Sequence, residues 1–168
     1  MISEGYDAAT RVGEMEDSSL RARKIAETTI CMVASPGYLH GAGRPRRIED
    51  LGAHKFLHYT NQANGAAWKM TSQTGKKRQI RTTVSFTVND GQSLLNAAIN
   101  GLEIAYLASF LYASALAEGR VVDVMPELPK ETQGIYVVYP PGKFTQTKVC
   151  AFIDYLAKTF ARKGPNHW

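Results

Sequence analysis

Apolar residues along the chain follow two spacings, one typical of strands and the other typical of helices. Short runs rich in β-branched residues end at Pro, Gly or Asn-Asp-Gly signals, and such runs predict strands. Between several of these runs the apolar residues recur at every third or fourth position, which predicts amphipathic helices. The predicted strands cover 6–12, 28–34, 56–60, 83–88, 102–107, 120–124 and 134–139.

The best-defined helix in the first 120 residues begins at Asn89 or Asp90, because either side chain can accept a hydrogen bond from a free backbone N–H in the first turn. Its apolar positions run to 100, where Gly101 predicts the end of the helix. The other predicted helices are 48–51, 109–117 with Gly119 as its end, and a C-terminal helix that begins at Thr145 or Thr147 and has an apolar face of Val149, Phe152, Ile153, Leu156, Ala157 and Phe160.

A β-hairpin is predicted between the short apolar runs 68–70 and 79–82, because Ser72 to Lys77 is polar and contains Gly75 at the turn. Residues 18–24 combine Ser18-Ser19-Leu20 with a charged stretch to Lys24, residues 61–66 are polar and small, and both segments are predicted to be loops. Strands that alternate with helices indicate an α/β architecture with an open, mostly parallel sheet.

The charges are unevenly placed, although the composition of the 168 residues is ordinary for a globular protein and the formal net charge is only +5. No acidic residue lies between Asp50 and Asp90. Such a local positive field attracts an anionic ligand or a nucleic acid. The alternative is a solvated hairpin surface without a partner. The basic residues of this stretch are Lys55, Lys69, Lys76, Lys77, Arg78 and Arg81.

Neither a targeting segment nor a membrane span is predicted, so the expected location is cytoplasmic. The N-terminus lacks the charged and apolar regions of a signal peptide, and the longest apolar stretch, 104–117, is shorter than the roughly 20 residues of a spanning helix. Cys31 and Cys150 are not in a paired spacing, and each lies in an apolar run. Both are expected to be small buried side chains in a reducing compartment.

The sequence gives little sign of catalysis. His54 and His58 have the spacing of two metal ligands on a helix, but their segment is predicted to be a strand and has no accompanying glutamate. No nucleophile elbow, phosphate loop or dinucleotide motif is present. Cys31 has no basic neighbour in sequence that would lower its pKa. We therefore expect no metal, no cofactor and no enzymatic activity, and interpret Tyr106, Phe110 and Tyr112 as packing residues.

Polar residues at the ends of predicted strands are the candidates for ligand binding. The turn Asn89-Asp90-Gly91 opens a helix, whose free N–H groups and positive dipole end attract a carboxylate, and Gly91 permits a close backbone approach. The alternative role of this turn is helix capping. Ser35, Tyr59 and Thr60 follow predicted strands and offer hydroxyl groups for hydrogen bonds, although loop polarity explains them equally well.

Five strings, in order and over nearly the whole chain, resemble the effector-binding domain of LysR-type transcription regulators. One of them is Val-Ala-Ser-Pro-Gly-Tyr-Leu at 33–39, and another runs from Asn89-Asp90-Gly91 to Gly-Leu-Glu-Ile-Ala at 101–105, a helix followed by a strand. The strings cover 4–13 with 17–20, then 33–39, 50–57, 89–105, and 136–141 with 151–156.

The resemblance implies an α/β fold like that of type-2 periplasmic binding proteins, with two α/β lobes joined by two crossover strands. On that basis residues 1–33 with 134–168 form the first lobe, which is incomplete, and 34–133 form the second. The family binds a small effector in the cleft between lobes, and the ligand, expected to be a carboxylate, is expected to contact Arg11 and Gly13 at the lobe edge. An ion pair of Arg11 with Asp7, Glu14 or Glu16 is the alternative.

This chain departs from the family pattern in several ways. The winged helix-turn-helix is absent from it, so promoter DNA is expected to be a partner only through that missing domain, and a homodimer is expected. The opening strand–helix–strand of the first lobe is also absent. Glu103 stands where the family usually has a small residue, and Ala108 where proline is common. Alternative functions on this fold are a solute-binding protein, which the missing signal peptide disfavours, and a small lyase, for which no acid–base pair is evident.

Overall fold

The computed structural model describes residues 6–13, 19–60, 67–72, 74–141 and 147–163, and divides the chain into two compact units. One unit comprises Met1–Thr29 and Thr132–Trp168, and is called here the terminal unit. The other comprises Ile30–Glu131 and is called the central unit. The chain passes between the units twice, each time within a strand.

The described strands are β1 (Ala9–Val12), β2 (Arg21–Ala34), β3 (Lys55–Tyr59), β4 (Ala67–Thr71), β5 (Lys77–Arg81), β6 (Thr83–Val88), β7 (Ile104–Ala108), β8 (Val122–Asp123) and β9 (Glu131–Tyr139). The helices are α1 (Pro36–Ala42), a 3-10 helix (Ile48–Ala53), α2 (Gly91–Ile99), α3 (Ser109–Ala117) and α4 (Thr147–Lys163). Every predicted strand and helix therefore has a counterpart. The predicted loop 61–66, and Thr145 as a helix cap, lie outside the described residues.

The prediction of a mostly parallel sheet is wrong, because the sheet is mixed. In the central unit β3 pairs in parallel with β6 and with β7, whereas β2 pairs antiparallel with β7 and β8. In the terminal unit β1 pairs antiparallel with β9. The spacing of apolar residues reports which strands are buried but carries no information about their direction.

The central strands are buried on both faces because consecutive side chains of a strand point to opposite sides of the sheet. On β3, Phe56 packs into one core with Leu51, whereas Leu57 packs into the other core with Leu94. The core that contains Leu57 is called the first core, and the core that contains Phe56 is called the second core. The first core comprises Cys31, Val33, Leu57, Leu94, Leu95, Ala98, Ala105, Leu107, Tyr112, Ala115 and Val121, and the second comprises Met32, Ala34, Leu39, Ile48, Leu51, Phe56, Trp68, Met70, Ile104, Val124 and Met125.

The helix ends follow the sequence signals. Asp90 is the N-cap of α2, as predicted, and Gly101 and Gly119 have φ angles of 80° and 71° after α2 and α3. This left-handed conformation is costly for residues with a Cβ, so glycine suits both positions. The predicted hairpin is also confirmed, with β4 antiparallel to β5. Its turn is closed by the Gly75 N–H, which donates to the Ser72 carbonyl over 2.9 Å.

The loop predicted for 18–24 is wrong at its second half, because β2 begins at Arg21. The charged side chains there are exposed, and a strand needs only backbone hydrogen bonds at such positions. Arg23 pairs with Asp154 of α4 over 2.7 Å, within the terminal unit. Charge in the sequence therefore marked an exposed strand and not a loop.

The core of the terminal unit consists of Val137, Val149 and Ile153, with Leu156 partly buried against them. Phe152, predicted to share this face of α4, is 45% exposed. At 3.6 residues per turn Phe152 lies about 60° around the helix from Val149, on the side away from Ile153. It therefore falls at the margin of the apolar stripe.

We expect Leu94→Ala to lower the free energy of unfolding by about 3 kcal/mol, because it removes a fully buried side chain and leaves a cavity. The measurement is urea denaturation followed by circular dichroism. Leu102→Ala is the matched control, since Leu102 is 52% exposed, and its change is expected to stay within about 0.5 kcal/mol. Equal losses for the two variants would contradict the described core.

Candidate functional site

The carboxyl ends of β3 and β6 lie side by side in the central unit, because these strands are parallel and Tyr59 is in register with Val88. The Thr60 N–H donates to the Val88 carbonyl over 3.0 Å, which continues the pairing past the strand end. Two predicted binding residues, Tyr59 and Thr60, therefore lie next to the turn Asn89-Asp90-Gly91. Carboxyl ends of parallel strands are the usual location of ligand sites in α/β sheets.

The Asp90 carboxylate is occupied by its own helix. It accepts hydrogen bonds from the Ser93 hydroxyl and the Ser93 backbone N–H, each over 2.7 Å. These bonds hold the pKa of Asp90 below its usual range, so the carboxylate is charged at neutral pH. Because its charge already satisfies the N-terminus of α2, this helix end is a weaker attractor for a second anion than the sequence suggested.

Gly91 leaves room for a side chain of α3. A Cβ built at Gly91 would lie 2.6 Å from Cδ1 of Leu111 in α3, which is closer than non-bonded carbon atoms approach. The space beside the Gly91 backbone is therefore filled by the Leu111 side chain, whereas the sequence suggested a ligand there.

The N-terminus of α3 is a site feature that the sequence interpretation did not single out. α3 follows β7, which is parallel to β3, so it starts at the same sheet edge. Its N-cap is Ala108, which provides no side-chain hydrogen bond. The first N–H groups of a helix lack partners within the helix, so this end suits an anion better than the capped end of α2. The sequence signal for this feature is Ala108, an apolar residue at the N-cap position, where a residue with a hydrogen-bonding side chain is usual.

Ser35 lies at the opposite edge of the sheet in the central unit. β2 is antiparallel to β7, with Val33 opposite Ala105, so β2 ends near the beginning of β7. Ser35 is buried and caps α1, accepting a hydrogen bond from the Tyr38 N–H over 3.1 Å. A surface cavity of about 580 Å³ at this edge is lined by Ser35, Pro36, Gly37, Tyr38, Ile99, Asn100, Gly101, Gly119 and Arg120.

Arg11 and Gly13 belong to the terminal unit. Arg11 is exposed on β1 opposite Tyr136, and the Gly13 N–H donates to the Gly134 carbonyl over 3.1 Å. The carboxylate of Asp7, an alternative partner for Arg11, instead pairs with Lys148 over 2.7 Å. Glu14 and Glu16 lie outside the described residues.

The interpretation of both cysteines as buried is correct for Cys31 and wrong for Cys150, which is exposed on α4. Cys31 also has a basic neighbour that the sequence did not reveal. Lys130 Nζ lies 3.5 Å from its sulfur and pairs with Asp123. Burial nevertheless dominates, and with the charge of Asp123 it raises the pKa of the Cys31 thiol to about 11. Cys31 is therefore a poor nucleophile.

The two histidines lie at different elements. His54 follows the 3-10 helix, and its Nδ1 lies 3.1 Å from the Tyr38 hydroxyl, while His58 lies on β3, as predicted. Burial lowers the pKa of His54. No group of three metal-ligating side chains occurs in the described part of the chain.

The aromatic residues expected to pack are only partly in the core. Tyr112 is buried, and Tyr106 packs edge-on against Trp68 with ring centroids 4.8 Å apart. Phe110 is 42% exposed, so it does not belong to the core of the central unit. The first turn of α3 directs this ring to the surface.

Comparison with known proteins identifies the family. The family described as LysR substrate binding domain matches residues 1–161. The chain belongs to this family. An uncharacterized HTH-type transcriptional regulator of Haemophilus influenzae is 39% identical over 89% of the chain, and the regulator CrgA of Neisseria meningitidis is 31% identical over 94%. The chain spans about half of each relative, 51% and 52% respectively.

Solved structures agree with this family assignment and with the predicted fold. The CrgA regulatory domain of Neisseria meningitidis has a TM-score of 0.79 at 29% identity, covering 95% of this chain and 78% of that chain. The full-length virulence activator AphB of Vibrio cholerae has a TM-score of 0.76 at 27% identity, covering 94% and 53%. The LysR substrate-binding domain described here therefore has the type-2 periplasmic-binding-protein-like fold.

Among the described helices of this domain, none combines the length and the apolar character needed to cross a membrane.

The cap of α2 gives a pH-dependent prediction. The pKa of Asp90 is lowered on folding, so its contribution to stability is complete above its unfolded value of about 3.9 and is lost as the pH falls through the lower folded value. We expect Asp90→Asn to lower the melting temperature at pH 7. The difference from the parent should shrink below about pH 4. Melting curves between pH 2 and 7 test this, and a difference that is constant with pH would contradict the cap.

The two thiols are expected to react at very different rates. In the folded protein at pH 8, Cys150 should react with a disulfide reagent at least tenfold faster than Cys31, because only Cys150 is exposed and the pKa of Cys31 is about 11. Cys150→Ser should abolish the fast phase, while Cys31→Ser should leave it unchanged. A fast phase that survives Cys150→Ser would show that Cys31 is accessible.

Proposed function

We propose that this chain is the effector-binding domain of a LysR-type transcription regulator, and that it senses a small anionic molecule, for which a carboxylate is the simplest chemistry. The family match over residues 1–161 supports the regulatory role. The relatives that match it are named as HTH-type transcriptional regulators. The proposal includes no catalytic step.

The effector is proposed to bind at the sheet edge formed by the ends of β3, β6 and β7. The observation that carries this proposal is the convergence of Tyr59, Thr60 and Asn89 with the uncapped N-terminus of α3 at that edge. Hydroxyl and amide groups orient a carboxylate through hydrogen bonds, while the helix end supplies positive potential. Asp90 and Gly91 shape the edge through helix capping and packing.

Other predicted contacts keep separate roles in the proposal. For the terminal unit itself we retain Arg11 and Gly13 as proposed carboxylate contacts, as the family resemblance implies, because a guanidinium is suited to a carboxylate. Ser35 is about 13 Å or more from the proposed edge along β7, at 3.3 Å per residue, so the same small ligand does not reach it. We assign Ser35 to capping of α1.

The regulator as a whole is proposed to bind promoter DNA through a winged helix-turn-helix that is not part of this chain, and to act in the cytoplasm as a homodimer. The central and terminal units are proposed to correspond to the two lobes that the family resemblance predicted. Binding of effector regulates DNA binding only if its affinity differs between two states of the protein.

A panel of small carboxylates, tested by thermal unfolding of the purified chain, is the experiment for this function. A ligand that binds the folded state only, at 100 times its Kd, stabilises that state by about 2.7 kcal/mol. We expect a saturable rise in melting temperature for at least one carboxylate and none for its neutral amide. The absence of a shift across the panel would contradict a carboxylate effector.

The location of the site is tested by Asn89→Asp, which adds a negative charge at the proposed edge. We expect it to weaken binding of the active carboxylate at least tenfold. Asn96→Asp makes the same chemical change at an exposed position in the middle of α2, and is expected to alter the Kd less than about threefold, because exposed charges are screened over about 10 Å. Equal effects of the two changes would argue against this location.

A further inference from the structure

The β4–β5 hairpin of the central unit carries a set of positive charges with no neutralising carboxylate. The side chains of Lys76, Lys77, Arg78 and Arg81 are exposed, and none forms an ion pair with a carboxylate of the described residues. The sequence contains no acidic residue between Asp50 and Asp90. These four residues are called the hairpin patch.

Several other cations of the same unit are held by oxygen atoms. Arg47 pairs with Asp50 over 3.3 Å, Arg120 pairs with Glu118 over 2.7 Å, and Lys130 pairs with Asp123. Arg44 donates to the main-chain carbonyls of Asp123 and Val124. Positive charge is therefore partnered in these places, whereas on the hairpin it is concentrated and left to solvent.

The hairpin presents this charge from a fixed support. Trp68 and Met70 are buried in the second core of the central unit, and Ile80 is partly buried against it. Trp68 packs against Phe56 with ring centroids 5.6 Å apart. Because side chains alternate along β5, Lys77 and Arg81 lie on the face opposite Ile80, and about 13 Å of strand separates them.

The composition of the patch favours a polyanionic backbone over a protein partner. Protein interfaces are usually centred on exposed aromatic or aliphatic side chains that become buried. The aromatic residue of this hairpin, Trp68, is instead buried within the domain, and the exposed described residues of the hairpin include no large apolar side chain. A regular array of phosphates needs only charge and hydrogen-bond donors.

We propose that the hairpin patch contacts the phosphate backbone of duplex DNA. This inference rests on the proposed function, since the regulator is proposed to hold DNA through another domain. The contact does not depend on base sequence, because phosphates carry no direct sequence information. It adds affinity for the DNA near the bound promoter site and agrees with the expectation that this chain has no specific DNA recognition of its own.

The test measures binding of the purified chain to a labelled 30-base-pair duplex of arbitrary sequence by fluorescence anisotropy, from about 20 mM salt upward. The parent is expected to bind at low salt with a Kd in the micromolar range, on the order of other non-specific complexes. The variant K76Q/K77Q/R78Q/R81Q should bind at least tenfold more weakly. Its plot of log K against log salt should be shallower by 3 to 4 units, at about 0.9 per lost phosphate contact.

The matched control is R21Q/R23Q/R120Q/K158Q, which removes four exposed cations elsewhere. Both variants lower the formal net charge from +5 to +1. If the hairpin patch is the surface that contacts DNA, the hairpin variant loses affinity for DNA, whereas the affinity of the control changes less than threefold. Similar losses for the two variants would overturn the proposal, because they would reflect net charge alone. Failure of the parent to bind at 20 mM salt would also overturn it.

Two further arms keep the result unambiguous. Polyglutamate that competes as well as DNA at equal charge would assign the patch to acidic polypeptides and overturn the DNA contact. If the fourfold variant has a lowered melting temperature, the single variants Lys77→Gln and Arg81→Gln replace it, each with an expected slope change of about 0.9. The carboxylate panel contains no DNA, so failure of effector binding and failure of this contact are observed separately.

Discussion

The central unit depends on strands that are buried on both faces. Phe56 and Leu57 of β3, like Ile104 and Ala105 of β7, belong to two different cores although they are neighbours in the chain. A shift of either strand by one residue would exchange the contents of these cores, so the register is strongly fixed. The register in turn determines where the strands end, and therefore where Tyr59 meets the start of α2.

This two-sided burial explains why the strands of the central unit were largely predictable from sequence, whereas the two-lobe fold was predicted from the family resemblance. Apolar runs bounded by turn residues gave the strands, and caps such as Asp90 and Gly119 gave the helix limits. Strand direction was not predictable, because side-chain spacing is the same in parallel and antiparallel pairs. Exposed strand residues such as Arg23, and the marginal Phe152, were misjudged because local composition does not show which neighbour covers a position.

The candidate site was predictable only where neighbouring residues in the chain are also neighbours in space. Asp90 caps α2 and Asn89 is its neighbour in the chain, and Thr60 joins them through a strand pairing that the α/β pattern implies. The separation of Ser35 from these residues follows from the antiparallel pairing of β2 with β7. The contact between Cys31 and Lys130 joins residues 99 positions apart, and no local signal reports it.

The contact between Gly91 and Leu111 has a consequence for how this domain changes during evolution. Any side chain gained at position 91 competes for the volume that Leu111 now fills, so a larger residue at position 91 favours a smaller residue at position 111. Position 91 opens α2 and position 111 lies in the first turn of α3, so both lie at the proposed effector edge. Divergence of ligand preference through position 91 would therefore be favoured by a compensating change of side chain at position 111.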